Sequence, residues 1–381
     1  MRIAIDIRLL GKGGPSGISE YTTCLIDALL NLNSSHEFVF FYNGFRKKPF
    51  PVSWRRPNVR VIETRIPNRL LDLTTRFFNW PKLESFAEFD IALSPHFNAI
   101  TTHKPHVITF HDLSFIHRPD FFTFKQKFWH WLQHYQRQAK RAKTIIAISE
   151  WTKNDLQREL HIPGEKIKVL YSGVRTEFKP LDPHNQALRQ FLKIHNLPKP
   201  YILYLGALEK RKNIEAVIAG FSEFKKNIDF QDYELILAGT PGYGAPALVR
   251  RTRLRPDIRI LSGLTNSERV FLYNGARSFI YLSFFEGFGF PPLEAQACGI
   301  PVIAAKRTAL AELLPESSLL VDPWKTADIA AALTLVEQNS SVRQKLIQSG
   351  LTNAARFHWK KTAQGTLSLL EEIHSSVVRS T

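Results

Sequence analysis

Ser283–Ile303 reads SFFEGFGFPPLEAQACGIPVI, and two glutamates in it, Glu286 and Glu294, stand eight positions apart around a Gly-Phe-Gly-Phe-Pro-Pro hinge. The preceding run, Ser278–Phe284, carries bulky apolar residues and predicts a short buried strand. After the hinge, Pro291 and Pro292 pre-set φ for a first helical turn, and Leu293–Cys298 fit two turns ended by Gly299 and Pro301. A strand, a glycine loop and a helix start together bind anions, because unpaired N–H groups and the positive end of the helix dipole point into one pocket. Glu286 is expected in the loop and Glu294 in the first turn, both facing that pocket. Amides for phosphate and carboxylates for hydroxyls suit a sugar nucleotide. A plain strand–loop–helix corner with two solvated glutamates has the same spacing, but here the glycines, prolines and apolar periodicity are all in register with a site.

The chain has 381 residues, enough for two domains with a substantial core in each. Its 44% hydrophobic and 22% charged residues are those of a globular protein, and no apolar run approaches the ~20 residues that span a bilayer. The start, MRIAIDIRLL, carries Asp6 and predicts a first strand, not a signal peptide. Cys24 and Cys298 are the only cysteines, which indicates neither a disulfide framework nor a zinc site and fits a reducing compartment, the cytoplasm. A net charge of +17 calls for an anionic partner: nucleic acid, phospholipid headgroups or a phosphorylated substrate.

The pattern along the chain is α/β. Ile3–Ile7 predicts a strand, Leu10–Ser19 a Gly-rich turn, Glu20–Asn31 a helix and Glu37–Tyr42 a second strand, the opening of a doubly wound domain. Phe45–Trp80 is the least regular part and interleaves nine Arg and Lys residues with aromatics. Asp90–Ser94 and Val107–Phe110 predict further parallel strands; His111 follows the second and so faces a ligand crevice. Asp120–Lys143 predicts one long helix dense in aromatics and bases, and Ile145–Ser149 another strand. Phe178–Pro200 is polar and proline-rich, the signature of a linker. Tyr201–Leu205 opens a second domain as a strand that runs into a turn holding Arg211 and Lys212. Glu234–Gly239, Ile258–Gly263 and Val302–Ala305 continue it, and Thr362–Val378 predicts a final amphipathic helix.

The Glu286–Glu294 segment resembles the E-x7-E motif of family 4 retaining glycosyltransferases, which have the GT-B fold: two Rossmann-like domains facing across a cleft. Gly17-Ile18-Ser19-Glu20-Tyr21 resembles that family's G-[IV]-x-x-Y loop, with Ser16 in place of a preceding glycine and Glu20 where arginine is frequent. Gly206–Ile214 resembles its G-x-L-x-x-R-K-[GN] turn, with Ala207 where some members have arginine. The resemblance implies an acceptor domain over residues 1–178, a linker over 179–200, a donor domain over 201–361, and a last helix, 362–378, crossing back to the first domain. It also implies site residues. Arg211 and Lys212 clamp the donor diphosphate, Arg as a fork and Lys as a point charge. Gly17 and Ile18 contribute backbone contacts, Gly263 and Leu264 hold the nucleobase, and Gly287, Phe288, Gly289 and Phe290 offer amides. Glu286 holds the donor sugar, Glu294 the ribose, and His111, in an H-D motif, lines the acceptor side near the transferred sugar.

Such a transfer passes through an oxocarbenium-like state while the diphosphate leaves, so the site needs cations and N–H donors at the leaving group. No Asp-x-Asp stands at a strand end, so no metal or cofactor is called for. A paired-carboxylate glycosidase has no use for a diphosphate clamp. A nucleic-acid binder would explain the charge but leaves the Gly/Glu constellation unexplained, and no nucleic-acid module is recognisable. A non-catalytic relative acting as a scaffold would not need these polar residues together. The second domain and the His-Asp pair resemble bacterial O-antigen mannosyltransferases, implying GDP-mannose as donor, with UDP- or dTDP-sugars as alternatives, and a glycan or glycolipid acceptor. Both basic–aromatic segments then read as contacts to an anionic membrane surface, making the enzyme peripheral on the cytoplasmic face.

Overall fold

The computed structural model describes residues 1–379 except 12–15, 45–49, 198–199, 244–248, 251 and 253. Lys12–Pro15 of the first glycine loop, and Phe45, Arg46, Lys47 and Lys48 of the basic–aromatic segment, therefore lie outside the described residues. Two compact units form, one from residues 1–173 and 358–381, the other from 174–357.

Unit 1 is built on strands β1 (Arg2–Asp6), β2 (Glu37–Asn43), β3 (Val59–Thr64), β4 (Ile91–Ser94), β5 (His106–Phe110), β6 (Thr144–Ala147) and β7 (Ile167–Val169), in the order β3-β2-β1-β4-β5-β6-β7. Every neighbouring pair is parallel. Parallel strands need crossovers, and here these cover both faces, so the central strands β4, β5 and β6 are buried throughout. Helix Gly17–Leu30 packs against Trp359–Val378, the chain's last helix, so the C-terminus belongs to the same unit as the first strand.

Two sequence expectations in this unit are corrected. Phe45–Trp80, read as irregular, contains β3 and the helix Asn68–Phe78. That helix buries Leu71, Asp72 and Thr75 and exposes Leu70, Leu73, Phe77 and Phe78, the inverse of a core-facing pattern. The expected single helix Asp120–Lys143 is a 3₁₀ turn at Pro119–Phe121 and two helices, Phe124–Gln133 and Tyr135–Arg141. His134 takes a left-handed conformation, φ 49°, and ends the first of them.

Unit 2 repeats the plan with β8 (Tyr201–Leu205), β9 (Glu234–Ala238), β10 (Ile258–Leu261), β11 (Ser278–Tyr281), β12 (Val302–Ala305) and β13 (Leu319–Val321), ordered β10-β9-β8-β11-β12-β13 and all parallel. β11 is shorter than the expected Ser278–Phe284 because the chain turns after Tyr281. Residues 174–200, read as a domain end and linker, are contacts of unit 2: helix Gln186–Ile194 lies on helix Asn266–Gly275. The chain winds in opposite directions from β8 and from β11, which are neighbours. Their C-terminal ends are therefore the switch point of the sheet, where loops part and leave a crevice.

Candidate functional site

The loops leaving β8 and β11 bring residues 74 positions apart into contact. The first loop ends in a 3₁₀ turn, Lys210–Lys212, closed by Asn213 in a left-handed conformation (φ 53°). The second runs from Leu282 to Gly289 and is stitched to the first, since the Phe284 amide donates to the Arg211 carbonyl at 2.9 Å. Lys212 Nζ then lies 2.6 Å from Glu286 Oε1 and 2.7 Å from the Tyr281 hydroxyl. Arg211 Nη1 is 3.4 Å from Glu286 Oε2 and donates to the Phe285 carbonyl, while its other edge is held by Glu209. Both Lys212 and Glu286 are 7% exposed. Burial alone would raise the Glu286 pKa; the charges of Lys212 and Arg211 outweigh it and hold the carboxyl at about 2. Burial and then Arg211 lower the Lys212 ammonium, against the pull of Glu286. An ammonium has three N–H donors, and Tyr281 and Glu286 take two. Among the described residues the third has no partner.

Glu294 is held by a different set. Arg269 Nη2 reaches both its oxygens at 2.6 Å and the Tyr273 hydroxyl donates to Oε2 at 2.8 Å. Both partners ride on helix Asn266–Gly275, whose N-terminus is set by Thr265 and Glu268 in a capping box. Gly263 and Leu264 lie just before that cap, and Gly263 has φ 76°, with open space where a Cβ would stand. The helix bearing Glu294 runs Phe290–Ala297 and is capped by Gly289 at φ 109°, where a side chain would also strike Leu310 at 2.7 Å. Pro291 and Pro292 occupy its first turn, as the sequence implied, and have no N–H to offer a ligand. The Phe288 ring is itself buried against Phe290 and Phe357, so this residue can face a ligand only through its backbone.

In unit 1, His111 follows β5 as the sequence implied. It is 7% exposed, and its Nε2 lies 2.7 Å from the Pro95 carbonyl. A carbonyl only accepts, so Nε2 carries the proton. The Tyr21 ring meets the imidazole edge-on at 4.7 Å, which links the start of helix Gly17–Leu30 to His111. Ser16, where the family pattern has glycine, is the N-cap of helix Gly17–Leu30 and accepts from the Ser19 amide; Gly17 and Ile18 form the mouth of that helix.

The sequence reading missed Tyr281, Arg269, Tyr273 and Tyr21 as site-building residues. The tyrosines look like core apolars in one dimension, and Arg269 stands on a helix distant from Glu294 in sequence. It also missed His117, Asp155 and Glu159, whose donor atoms lie within 4.8 Å of one another, although Arg158 already bridges both carboxylates.

Burial pushes both His111 and His106 down to about 4 from the ordinary 6.5. The unfolded chain takes up these protons first, so the stability they contribute is complete above pH 6.5 and is lost as pH falls through 4. Each histidine should cost about 2 kcal/mol at a pH of about 5. Urea unfolding at neutral and mildly acidic pH checks this: His111→Gln is expected to remove about half of the difference, and equal stability at the two pH values would contradict it.

Comparison with known proteins places both halves. The description "Glycosyltransferase Family 4" matches residues 15–178, and "Glycosyl transferases group 1" matches residues 185–352. The chain is 29% identical over 265 residues to "O-antigen chain mannosyltransferase B" of Escherichia coli, covering 69% of each chain. It is 26% identical over 344 residues to "O-antigen chain mannosyltransferase RfbU" of Salmonella typhimurium, covering 88% of this chain and 90% of that one. Other E. coli relatives, named serotype-specific mannosyltransferases, are longer, and this chain spans only 28% of their length. In fold it is similar to a sucrose-phosphate synthase from Thermosynechococcus elongatus, with TM-score 0.77 at 19% identity over 98% of this chain and 99% of that one.

Proposed function

Because this chain belongs to the GT-B glycosyltransferases made of a family 4 domain followed by a group 1 domain, we propose that it transfers mannose from GDP-mannose, with retention, to a lipid-linked or polysaccharide acceptor in O-antigen-type synthesis. The observation that carries this reading is the buried Lys212–Glu286–Arg211 cluster at the β8/β11 switch point, with a third Lys212 proton unpartnered among the described residues. That proton and Arg211 stabilise the leaving diphosphate, where negative charge grows in the transition state. Glu286 stays ionised and orients hydroxyls of the donor sugar, Glu294 the ribose, and Gly263 and Leu264 the base. The backbone of Gly287–Phe290, with Gly17 and Ile18, approaches the phosphates. In unit 1, a neutral His111 lines the acceptor side near the transferred sugar, and its Nδ1 is an acceptor for a hydroxyl. The choice of mannose is supported by the relatives' names; a UDP- or dTDP-sugar fits the same cluster.

Thermal-shift titration with nucleoside diphosphates and their sugars, without added metal, tests the reading. A ligand bound by the native state alone at 100 times its Kd adds about 2.7 kcal/mol of stability. GDP and GDP-mannose are expected to raise Tm and the UDP and dTDP series not. A shift with UDP-sugars alone would replace mannose but keep the site; salt-sensitive RNA or DNA binding with no nucleotide-sugar shift would replace the function.

We further assign the enzyme to a membrane surface as a peripheral protein on the cytoplasmic side. No described helix is long and apolar enough to cross a membrane. Support comes from a surface of unit 1 where Phe77, Phe78, Trp80, Phe124 and Trp131 are all exposed. Arg76 lies over the Trp131 ring at 3.9 Å and joins the two helices that carry it. Aromatic side chains of this kind seat at a bilayer interface and cations meet its headgroups.

A further inference from the structure

Unit 1 holds a cavity of about 880 Å³ that no role above uses. Its walls come from the segments that lead into three adjacent strands, Thr102–His106 into β5, Ala142 and Lys143 into β6, and Pro163–Lys166 into β7. It therefore opens at the N-terminal edge of the sheet, whereas His111 stands at the C-terminal edge of β5. Five cationic side chains, Lys82, Lys104, Arg141, Lys143 and Lys166, line it against one carboxylate, Glu165. Among the described residues Lys82, Lys104 and Lys143 form no ion pair. Arg141 donates to the Asn79 side chain at 2.7 Å and Lys166 to the Lys140 carbonyl at 2.6 Å, so these two lean on neutral acceptors. Burial lowers the Lys166 ammonium, and burial and then Arg137 lower Arg141. Five cations against Glu165, and Glu84 bonded to Thr102 and His103 on the wall, leave an excess of positive charge that favours an anion in the cavity.

The same wall leads to the aromatic surface. Asn79 ends helix Asn68–Phe78 in a left-handed turn, and the residues on either side of it, Phe78 and Trp80, are 76% and 60% exposed. Phe77 lies 6.2 Å from Trp131 and Trp131 5.6 Å from Phe128, so apolar rings continue from the rim of the cavity across two helices. A soluble phosphate would satisfy the cations and leave the rings in water; an anionic bilayer satisfies both.

We propose that this cavity is a headgroup site: the phosphate of an anionic phospholipid enters among Lys82, Lys104, Arg141 and Lys143 while Phe77, Phe78 and Trp80 seat in the interface. The inference rests on the peripheral-membrane reading above and adds to it a defined phosphate pocket.

Co-sedimentation of the full chain with phosphatidylcholine vesicles, with and without phosphatidylglycerol, tests it at low salt. Lys104→Gln/Lys143→Gln changes only the pocket and Phe78→Ser/Trp80→Ser only the rings; all four residues are exposed, so equal Tm is the folding control. Wild type is expected to bind phosphatidylglycerol vesicles more tightly than phosphatidylcholine alone. The lysine variant should lose roughly 30-fold of affinity for the anionic vesicles, at about one headgroup contact per lysine, and keep the residual phosphatidylcholine binding. The aromatic variant should weaken on both. Wild-type affinity of the lysine variant for anionic vesicles, with the aromatic variant impaired, overturns the pocket and leaves the membrane reading. No vesicle binding by wild type overturns both. Titration with inorganic phosphate is the last arm: binding abolished by the lysine changes, without vesicle binding, would make the ligand a soluble phosphate and overturn the lipid assignment.

Discussion

Lys212→Met is expected to lower sugar transfer by about 10²–10³-fold, the loss typical of removing one donor aimed at developing negative charge. It should also destabilise the protein by about 3–5 kcal/mol, because half of a buried ion pair is gone and the other half remains charged. The reason is local. Glu286 sits 2.6 Å from the ammonium, and without it only Arg211, at 3.4 Å, answers the carboxylate in a buried site. The two losses separate in the double variant Lys212→Met/Glu286→Gln, which restores a neutral pair near Tyr281. Its urea midpoint should return most of the way to wild type, while its initial rate with the sugar nucleotide stays down. Recovery of the rate together with stability would show that the cluster is structural and not part of the transfer machinery.

The second large effect is expected from Arg269→Ala. This guanidinium contacts both oxygens of Glu294 and lies 5.3 Å from the Phe178 ring, and Glu294 itself is 2% exposed. Truncation leaves a buried carboxylate without its cation, at a cost of about 3–5 kcal/mol. Because Arg269 acts through Glu294, it is a positioning residue, and the kinetic signature should be a raised KM for the donor with a smaller change in kcat. Arg269→Lys keeps the charge but not the fork, so it should recover part of the stability and little of the donor affinity. A raised KM in Arg269→Ala that vanishes when the assay is run well below the unfolding temperature would reduce Arg269 to a stability role.

The two-sheet α/β plan was legible because central parallel strands are buried on both faces and so appear as apolar runs, such as Ile202–Leu205 and Phe279–Leu282. Edge elements were not. β3 presents mostly exposed or half-exposed residues, and helix Asn68–Phe78 turns its rings outward, so both lack the periodicity that betrays a core. The break at His134 was equally hidden, since a left-handed histidine has no composition signal of the kind glycine carries.

Local chain chemistry decided the placement of the glycine hinges, the prolines of the first turn, the caps and the strand ends where Arg211, Lys212, Glu286 and His111 stand. These depend on φ preferences and apolar periodicity, which act over a few residues and are written in order along the chain. Which side chains meet depends on strand order. Only the adjacency of β8 and β11 puts Lys212 on Glu286, and only the packing of Asn266–Gly275 puts Arg269 and Tyr273 on Glu294. Charge count gave +17 without an address. The sheet of unit 1 gathers some of these cations, by lining up three strand entrances whose lysines are far apart in sequence and share one cavity in space.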